Sequence, residues 1–261
     1  MLEIEIIKID VSTGKIQKMA DQVAEDKVLH IFINRTHYAS IYCSPSNLKE
    51  LAVGHLLSEG IVKSIEEIEE IDLKDKGLCR IKLKANVNVE GRLKHLRLFS
   101  RVITSACGGQ VPHQFSKKIP KVNSNLTVKA EAILNGVNHL NHLAETFRRT
   151  GGVHASAIYK GNGDVVAFAE DVGRHNAVDK VIGIGAFKKI DFGECFLTLS
   201  GRLSGDVVLK AARVGLPIVA SLAAALNSGI AIAKNADLTL IGFVRGKRMN
   251  IYNFPERIIL N

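Results

Sequence analysis

Helical and extended patterns alternate along the second half of the chain, after Ala130, and this alternation constrains the fold more than any other feature. The apolar run CFLTLS at residues 195–200 is typical of a buried strand, and it leads into the helical pattern GRLSGDVVLKAARVGLP. Ser204 is placed to cap that helix and Gly215 to end it, and Pro217 keeps it from continuing. Alternation of this kind predicts an α/β layer, in which a largely parallel sheet carries helices on its faces.

The remaining elements of this half follow from the same reasoning. The segments AEAILNGVNHLNHLAETFRR and HNAVDKVIGIGAF each predict a helix, although Gly136 weakens the first. GGVHASAIY and VVAFAEDV predict a hairpin across the turn KGNGD. IVASL and LTLIGFVRG predict two more strands, with a helix around SGIAIAKNA between them.

The first half of the chain has a different pattern. Residues 27–43, KVLHIFINRTHYASIYC, predict two strands around the turn NRTH, and EEIDL, LCRIKLK and LKHLRLFS predict three more. Between them, SPSNLKELAVGHLLSEGIV predicts an amphipathic helix in which Asn47 and Glu50 form a capping box and Gly60 ends the last turn. One side of this helix is expected to carry its apolar stripe: Leu48, Leu51, Ala52, His55 and Leu56.

The segment from Ile103 to about Lys129 separates the two halves and shows no sustained period. It combines glycines and prolines with polar residues, which predicts a loop or a connection between domains. Cys107 lies in this loop, directly before two glycines in the stretch SACGGQ. The other cysteines lie inside or beside apolar strands and are expected to be small buried residues: Cys43, Cys79 and Cys195.

Composition excludes several classes of protein. No apolar run reaches the roughly 18 residues of a membrane span, and MLEIEIIKID lacks the features of a signal peptide, so we expect a cytoplasmic protein. The four cysteines form no C-x-x-C pair, which argues against a disulfide framework or a zinc knuckle. The net charge of +9 favours an anionic partner, but an aromatic content of 5% without Trp argues against nucleic acid.

Four polar clusters stand at the ends of predicted strands in the second half: GGVHAS, AEDVGRHN, LSGRLSGD and GFVRGKRMN. Ligands of α/β proteins gather where the strands of the sheet end. Glycine, arginine and the free amides of helix starts together make sites for anions. The sequence therefore predicts a ligand with phosphate groups at this edge of the sheet.

Seven segments together carry a resemblance to a known family. LKELAVGHLLSEGIV, SACG, GGVHASAIY, EDVGRHNAVDKVIG, SGRLSGDVVLKAARVGLPIVAS, GFVRGKRMNIY and PERI, in this order, resemble the FdhD/NarQ family of formate dehydrogenase accessory proteins. The resemblance implies a small N-terminal α+β domain, residues 1–130, that ends in the Cys107 loop and connector. It implies a cytidine-deaminase-like α/β domain at residues 131–261, and a homodimer.

The resemblance also implies a function. Members of the family accept sulfur from a cysteine desulfurase as a persulfide and pass it to the bis-guanine-dinucleotide cofactor of molybdenum or tungsten, before its insertion into formate dehydrogenase. Cys107 is then the persulfide carrier, because sulfur transfer needs a reachable thiolate among small residues.

The cofactor is expected to bind at the polar clusters, and no structural metal is expected. The resemblance places it on FVRGKR, whose residues are Phe243, Val244, Arg245, Gly246, Lys247 and Arg248. The clusters that share the predicted sheet edge add His154, Arg174, His175, Ser200, Gly201 and Arg202.

One position departs from the family pattern. The usual loop is C-G-x-C-G, and here Gln110 replaces its second cysteine. Sulfur therefore cannot pass between two thiols within the loop. Two readings stay open: Cys107 acts alone, or the protein is a non-catalytic chaperone that binds and delivers the guanine-dinucleotide cofactor.

A zinc-dependent nucleobase deaminase is the rival that a deaminase-like fold suggests. That chemistry needs a glutamate two residues after a metal-binding His or Cys, together with a P-C-x-x-C element. Here His154 is followed by Ala155 and Ser156, and no C-x-x-C exists. His139 and His142 have ligand spacing on a helix but no third partner nearby, so we reject a zinc hydrolase.

Overall fold

The computed structural model describes residues 1–74, 77–92 and 119–260. The chain begins with an antiparallel hairpin of β1 (Leu2–Asp10) and β2 (Lys15–Val23), which forms a two-stranded sheet of its own. Most side chains of this hairpin are exposed, aliphatic ones included. Sequence patterns did not predict it.

A four-stranded sheet follows, with the strand order β4-β3-β6-β5. Its strands are β3 (Lys27–Ile33), β4 (Thr36–Cys43), β5 (Ile68–Lys74) and β6 (Leu78–Leu83). The turn predicted at NRTH is confirmed: Asn34 and Arg35 have φ of 46° and 75°, as a tight two-residue hairpin turn requires. The strand predicted at LKHLRLFS, residues 93–100, lies outside the described residues.

Helix α1 (Leu48–Ser58) crosses between this sheet and the second half of the chain. Gly60 follows it with φ 73°, as predicted. The predicted capping box is wrong, because Asn47 itself adopts a left-handed conformation and its side chain makes no cap hydrogen bond. The prediction of a single apolar stripe is also wrong, because the helix is buried on more than one side, with Val53, Gly54 and Leu57 buried as well.

The second half continues with helices and strands in alternation. Its helices are α2 (Ala130–Leu143), α3 (Glu145–Thr150), α4 (Arg174–Phe187), α5 (Gly205–Arg213) and α6 (Asn227–Ala236). Its strands are β7 (Val128–Lys129), β8 (His154–Lys160), β9 (Val165–Asp171), β10 (Cys195–Leu199), β11 (Ile218–Ser221), β12 (Thr239–Arg245), β13 (Arg248–Asn253) and β14 (Ile258–Ile259). Short 3-10 turns occupy Ile65–Glu67, Phe192–Glu194 and Pro255–Arg257.

Six of these strands form one mixed sheet in the order β13-β12-β11-β10-β8-β9. Only β10, β11 and β12 run parallel, whereas β8, β9 and β13 join through antiparallel pairings. The largely parallel sheet that alternation predicted is therefore wrong, because hairpins occupy both sides of the parallel centre. Helices do cover both faces: α2 packs on one, and α1, α4, α5 and α6 lie on the other.

The single helix predicted for residues 130–149 is two helices. The break falls at Ala144, and Glu170 at the end of β9 binds the start of α3. Its carboxylate accepts hydrogen bonds from the amides of Thr146 and Phe147 at 3.0 and 2.8 Å. Ser204 precedes α5 as predicted, but its hydroxyl makes no cap hydrogen bond to that helix.

Helices α1 and α4 approach each other backbone to backbone. An ideal Cβ at Gly54 would lie 1.7 Å from the carbonyl oxygen of Asp179, and one at Gly183 would lie 1.9 Å from that of Glu50. Only glycine fits at such distances. The main apolar core accordingly contains residues from both halves of the chain, such as Leu56 and Val181. The division at residue 130 stays a prediction.

No helix within the described residues is both long and apolar enough to cross a membrane.

Candidate functional site

Strand directions bring the predicted polar clusters to one edge of the six-stranded sheet. The parallel strands β10, β11 and β12 all end there. Because β8 runs antiparallel to β10, its first residue His154 lies at the same edge. His154 pairs in turn with Asp171 at the end of β9. The edge therefore gathers residues from five strand termini, and four of them carry the polar clusters that the sequence analysis selected.

His154 and Ser200 meet directly at this edge. The serine Oγ lies 3.2 Å from His154 Nδ1 and accepts the amide of Ala155 at 3.0 Å. Burial lowers the pKa of the imidazole, and the nearby positive charge of Arg174 lowers it further. His154 is therefore neutral at physiological pH, where it offers a ligand a hydrogen bond rather than a charge.

Arg174 begins α4 and lies against the loop after β10. An ideal Cβ at Gly201 would stand only 2.9 Å from the Arg174 Cβ, so glycine makes room for the arginine side chain. The Nε of Arg174 is buried and has no hydrogen-bond partner among the residues that the structure describes. A buried guanidinium nitrogen is costly without an acceptor, and this arrangement favours an anionic ligand.

His175, the next residue, pairs with a carboxylate that the sequence prediction omitted. Its Nε2 lies 2.5 Å from Oδ2 of Asp206, in the first turn of α5. Burial of the Asp206 carboxyl tends to raise its pKa, but the hydrogen bond and charge of His175 outweigh burial and lower the pKa. Asp206 is the last residue of the predicted cluster LSGRLSGD, but an aspartate there does not by itself indicate a contact with His175.

The loop after β10 is fixed by a second residue that sequence reasoning missed. Ser221, buried at the end of β11, donates to the carbonyl oxygens of Leu199 and Gly201, with distances of 2.9 and 2.6 Å to its Oγ. Gly201 is buried, and Arg202 beside it is exposed. The loop therefore presents Ser200 and Arg202 from a rigid backbone.

The motif FVRGKR forms the tight end of the β12–β13 hairpin. Arg245 and Arg248 pair across the turn, and Gly246 in the turn has φ 59°. The Arg245 Nε donates to the carbonyl oxygen of Leu222 at 3.1 Å, which ties the hairpin to the end of β11. Arg245, Lys247 and Arg248 are exposed. Three cations therefore stand at the sheet edge, available to an anionic ligand.

Phe243 and Val244 differ in what they offer to a ligand. Val244 is fully buried, so its side chain belongs to the core. Phe243 is 39% exposed and has φ 52°, an uncommon conformation for a bulky residue. Its amide donates to the carbonyl oxygen of Ala223 at 3.0 Å, which helps to hold the ring outward. Such a ring can stack against a planar base.

The cysteines that the structure describes are all core residues. Cys43 and Cys79 have no exposed surface and Cys195 has 2%. Burial raises the pKa of each thiol to about 11. They remain protonated at neutral pH and are poor nucleophiles. Cys107 lies outside the described residues.

Comparison with known proteins gives a consistent result. The model of the FdhD/NarQ family matches residues 24–259. The sulfur carrier protein FdhD of Methanothermobacter thermautotrophicus is 36% identical over 257 residues, which cover 98% of each chain. The protein of the same name from Sulfolobus acidocaldarius is also 36% identical, over 99% of this chain and 100% of that one.

A solved structure shares the fold. The crystal structure of a protein from Desulfotalea psychrophila, described as a formate dehydrogenase accessory protein, superposes with a TM-score of 0.79. It is 28% identical in sequence, and the match covers 99% of both chains. Sequence and structure thus agree over nearly the full length: the chain belongs to the FdhD/NarQ family.

Proposed function

We propose that this protein is a sulfur carrier that serves formate dehydrogenase. It accepts sulfur from a cysteine desulfurase as a persulfide on Cys107 and passes it to the bis-guanine-dinucleotide cofactor of molybdenum or tungsten. The full-length similarity to proteins named sulfur carrier protein FdhD supports the role. The name of the Desulfotalea protein supports formate dehydrogenase as the enzyme served.

The state of the other thiols is the observation that carries this proposal. Of the four cysteines in the sequence, three are buried with raised pKa values, which leaves Cys107 as the candidate nucleophile. In the loading step the Cys107 thiolate attacks the terminal sulfur of the desulfurase persulfide. A new S–S bond forms, the old one breaks, and the desulfurase cysteine leaves as a thiolate. The exchange needs no external oxidant or reductant.

The sheet edge is the proposed cofactor site. Arg174 supplies a buried Nε that has no hydrogen-bond partner among the described residues, and Arg245 and Arg248 add exposed positive charge. Neutral His154 and the ring of Phe243 suit the polar and planar parts of a nucleotide. The same edge also suits the alternative, a chaperone that binds and delivers the cofactor without sulfur transfer. The alternative is also consistent with Gln110, which replaces the second cysteine of the family loop.

Three further expectations belong to this proposal. The second half is expected to have the cytidine-deaminase-like fold, the protein to form a homodimer, and the site of action to be the cytoplasm. The mixed sheet with helices on both faces is compatible with the first of these.

Incubation with a cysteine desulfurase and free cysteine is expected to add about 32 Da, the mass of one sulfur atom, to the peptide that contains Cys107. The buried thiols should gain nothing, because they are protonated and enclosed. Mass spectrometry of the digested protein measures the adduct, and Cys79→Ser serves as the control variant that still loads. An active desulfurase that never loads Cys107 would favour the chaperone.

Arg245→Ala and Arg248→Ala are expected to weaken the binding of guanosine diphosphate, the probe for the nucleotide part of the cofactor. Each lost charge-assisted contact should cost about 1.5 to 3 kcal/mol of binding free energy. The variants should fold normally, because both side chains are exposed and Arg245→Ala loses only one surface hydrogen bond, to the Leu222 carbonyl oxygen. Calorimetry measures the affinity, with Arg80→Ala on the four-stranded sheet as the matched exposed control. Unchanged affinity in both variants would remove FVRGKR from the site.

A further inference from the structure

A buried ion pair lies directly behind the proposed cofactor site. Lys180 on α4 and Asp171 at the end of β9 both have zero exposure, and the Nζ to Oδ2 distance is 2.7 Å. The ammonium also donates to the carbonyl oxygens of Ser44 and Glu170, each at 3.2 Å. All three of its protons therefore have acceptors.

The carboxylate of Asp171 collects three more hydrogen bonds. Its Oδ1 accepts from the amide of Gly173 at 2.9 Å and from the side-chain amide of Asn176 at 2.8 Å. Its Oδ2 accepts from the amide of Ser44 at 2.9 Å. These bonds hold the turn and the first helical residues on either side of Arg174 and His175.

The N-terminal half supplies part of this arrangement. The side-chain Nδ2 of Asn176 also donates to the carbonyl oxygen of Tyr42 at 2.7 Å, and the Ser44 hydroxyl accepts a hydrogen bond from the backbone amide of Val172 at 3.1 Å. The corner from Tyr42 to Ser44, at the end of β4, is thus hydrogen-bonded to the start of α4. Residues on both sides of the chain's midpoint build the wall behind the site.

Stability alone gives a weak reason for such a pair. Removing two charges from water costs about as much as their attraction returns, and apolar residues of equal volume often serve as well. The pair instead fixes the direction of α4, because the Asp171 carboxylate holds four donors in place. These donors belong to Ser44, Gly173, Asn176 and Lys180. The unpartnered Nε of Arg174 depends on that direction.

We propose that Asp171 and Lys180 are positioning residues, which together with the Tyr42–Ser44 corner hold Arg174 toward the phosphate groups of the ligand. The identity of the ligand in this inference rests on the proposed function. Neither residue touches the ligand; both act through the first turn of α4.

The protein contains a matched control. Lys210 and Asp179 form a second ion pair, 3.0 Å apart, with exposures of 5% and 1%. This pair also joins the two halves, since Lys210 donates to Ser58 Oγ at 3.0 Å. Asp179 is on α4 and Lys210 on α5, and neither makes any of the hydrogen bonds that surround Arg174. Lys210→Met therefore reproduces the loss of a buried lysine without disturbing the start of α4.

The test compares Lys180→Met with Lys210→Met by two measurements. Guanosine diphosphate should bind at least about tenfold more weakly to Lys180→Met than to the native protein, because a charged contact is displaced. Its affinity for Lys210→Met should stay within about twofold of the native value. The Nε–H signal of Arg174 in ¹H–¹⁵N NMR, identified by its absence in Arg174→Ala, should move in Lys180→Met only. Both measurements are made well below the unfolding temperature of either variant.

A milder variant keeps the test decisive if Lys180→Met fails to fold. Asn176→Ala removes one hydrogen bond to the Asp171 carboxylate and one to the Tyr42 carbonyl oxygen but leaves the ion pair. It should shift the Arg174 signal and weaken binding in the same direction as Lys180→Met. Equal effects in Lys180→Met and Lys210→Met, or an unmoved Arg174 signal, would overturn the positioning role. If the native protein does not bind guanosine diphosphate, the proposed ligand is wrong, and the Arg174 signal alone decides the inference.

Discussion

Cys107→Ser is expected to leave formate dehydrogenase inactive in a cell whose own accessory protein is missing, where the native chain restores activity. Serine fills nearly the same volume, so folding should be intact, but a hydroxyl cannot carry sulfane sulfur. Formate dehydrogenase activity in cell extracts measures the outcome. The expected change is a complete loss, larger than that of any other single substitution at a cysteine.

The other cysteines provide the controls. Cys43→Ser, Cys79→Ser and Cys195→Ser place a hydroxyl in apolar surroundings, which costs about 1 to 3 kcal/mol of stability but should leave the rescue in place. Full rescue by Cys107→Ser would exclude the carrier role and leave the cofactor-binding chaperone.

Gln110→Cys restores the second cysteine of the family loop and tests whether sulfur transfer by Cys107 benefits from a second thiol. Faster sulfur transfer would mean that the native loop lacks a useful second thiol, and an unchanged rate would mean that one cysteine suffices.

Gly54→Ala and Gly183→Ala are expected to be the most destabilising glycine-to-alanine changes among the glycines that the structure describes. Each methyl group would meet a backbone carbonyl oxygen of the facing helix, at 1.7 and 1.9 Å respectively, so α1 and α4 must move apart. We expect a loss of about 3 kcal/mol or more in the free energy of unfolding, because backbone cannot yield as a side chain can. Urea unfolding followed by circular dichroism measures the change.

Gly136→Ala is the matched control for these variants. It is also a helical glycine, but its ideal Cβ stands 3.1 Å from the ring of Phe196 rather than near a backbone oxygen. The gain in helix propensity, about 1 kcal/mol, should largely offset the contact. Native stability in Gly54→Ala would show that the two helices are not held at this distance in solution.

Local sequence patterns predicted those elements whose signals are themselves local. The hairpin of β8 and β9 and the helix around residues 175–187 were predicted, because turn residues and apolar periodicity mark them. The strand directions were not, since the chain pattern does not reveal that β13 returns antiparallel beside β12. The N-terminal hairpin was missed although its sequence alternates, because its aliphatic residues face solvent instead of a core.

The candidate site was predictable to the extent that it consists of strand ends. Ser200 and Arg174 follow strand ends, which a sheet rule places at one edge, but His154 starts β8 and joins them only because that strand is antiparallel to β10. The pair of Asp171 and Lys180 was not predictable, since lysine is among the residues least often buried. Its partner Ser44, and Tyr42, which accepts from the neighbouring Asn176 side chain, are more than a hundred residues away in sequence. No local pattern records such a contact.

The distance in sequence between Ser44 and Asp171, 127 residues, has a consequence for the timing of assembly. Contacts between remote segments form late in folding, after the entropy of closing the intervening loop has been paid. The hydrogen bonds that join the Tyr42–Ser44 corner to the start of α4 are therefore expected to be among the last to form. A partly folded chain presents Arg174 without this support, so the proposed cofactor site is complete only when the fold is complete.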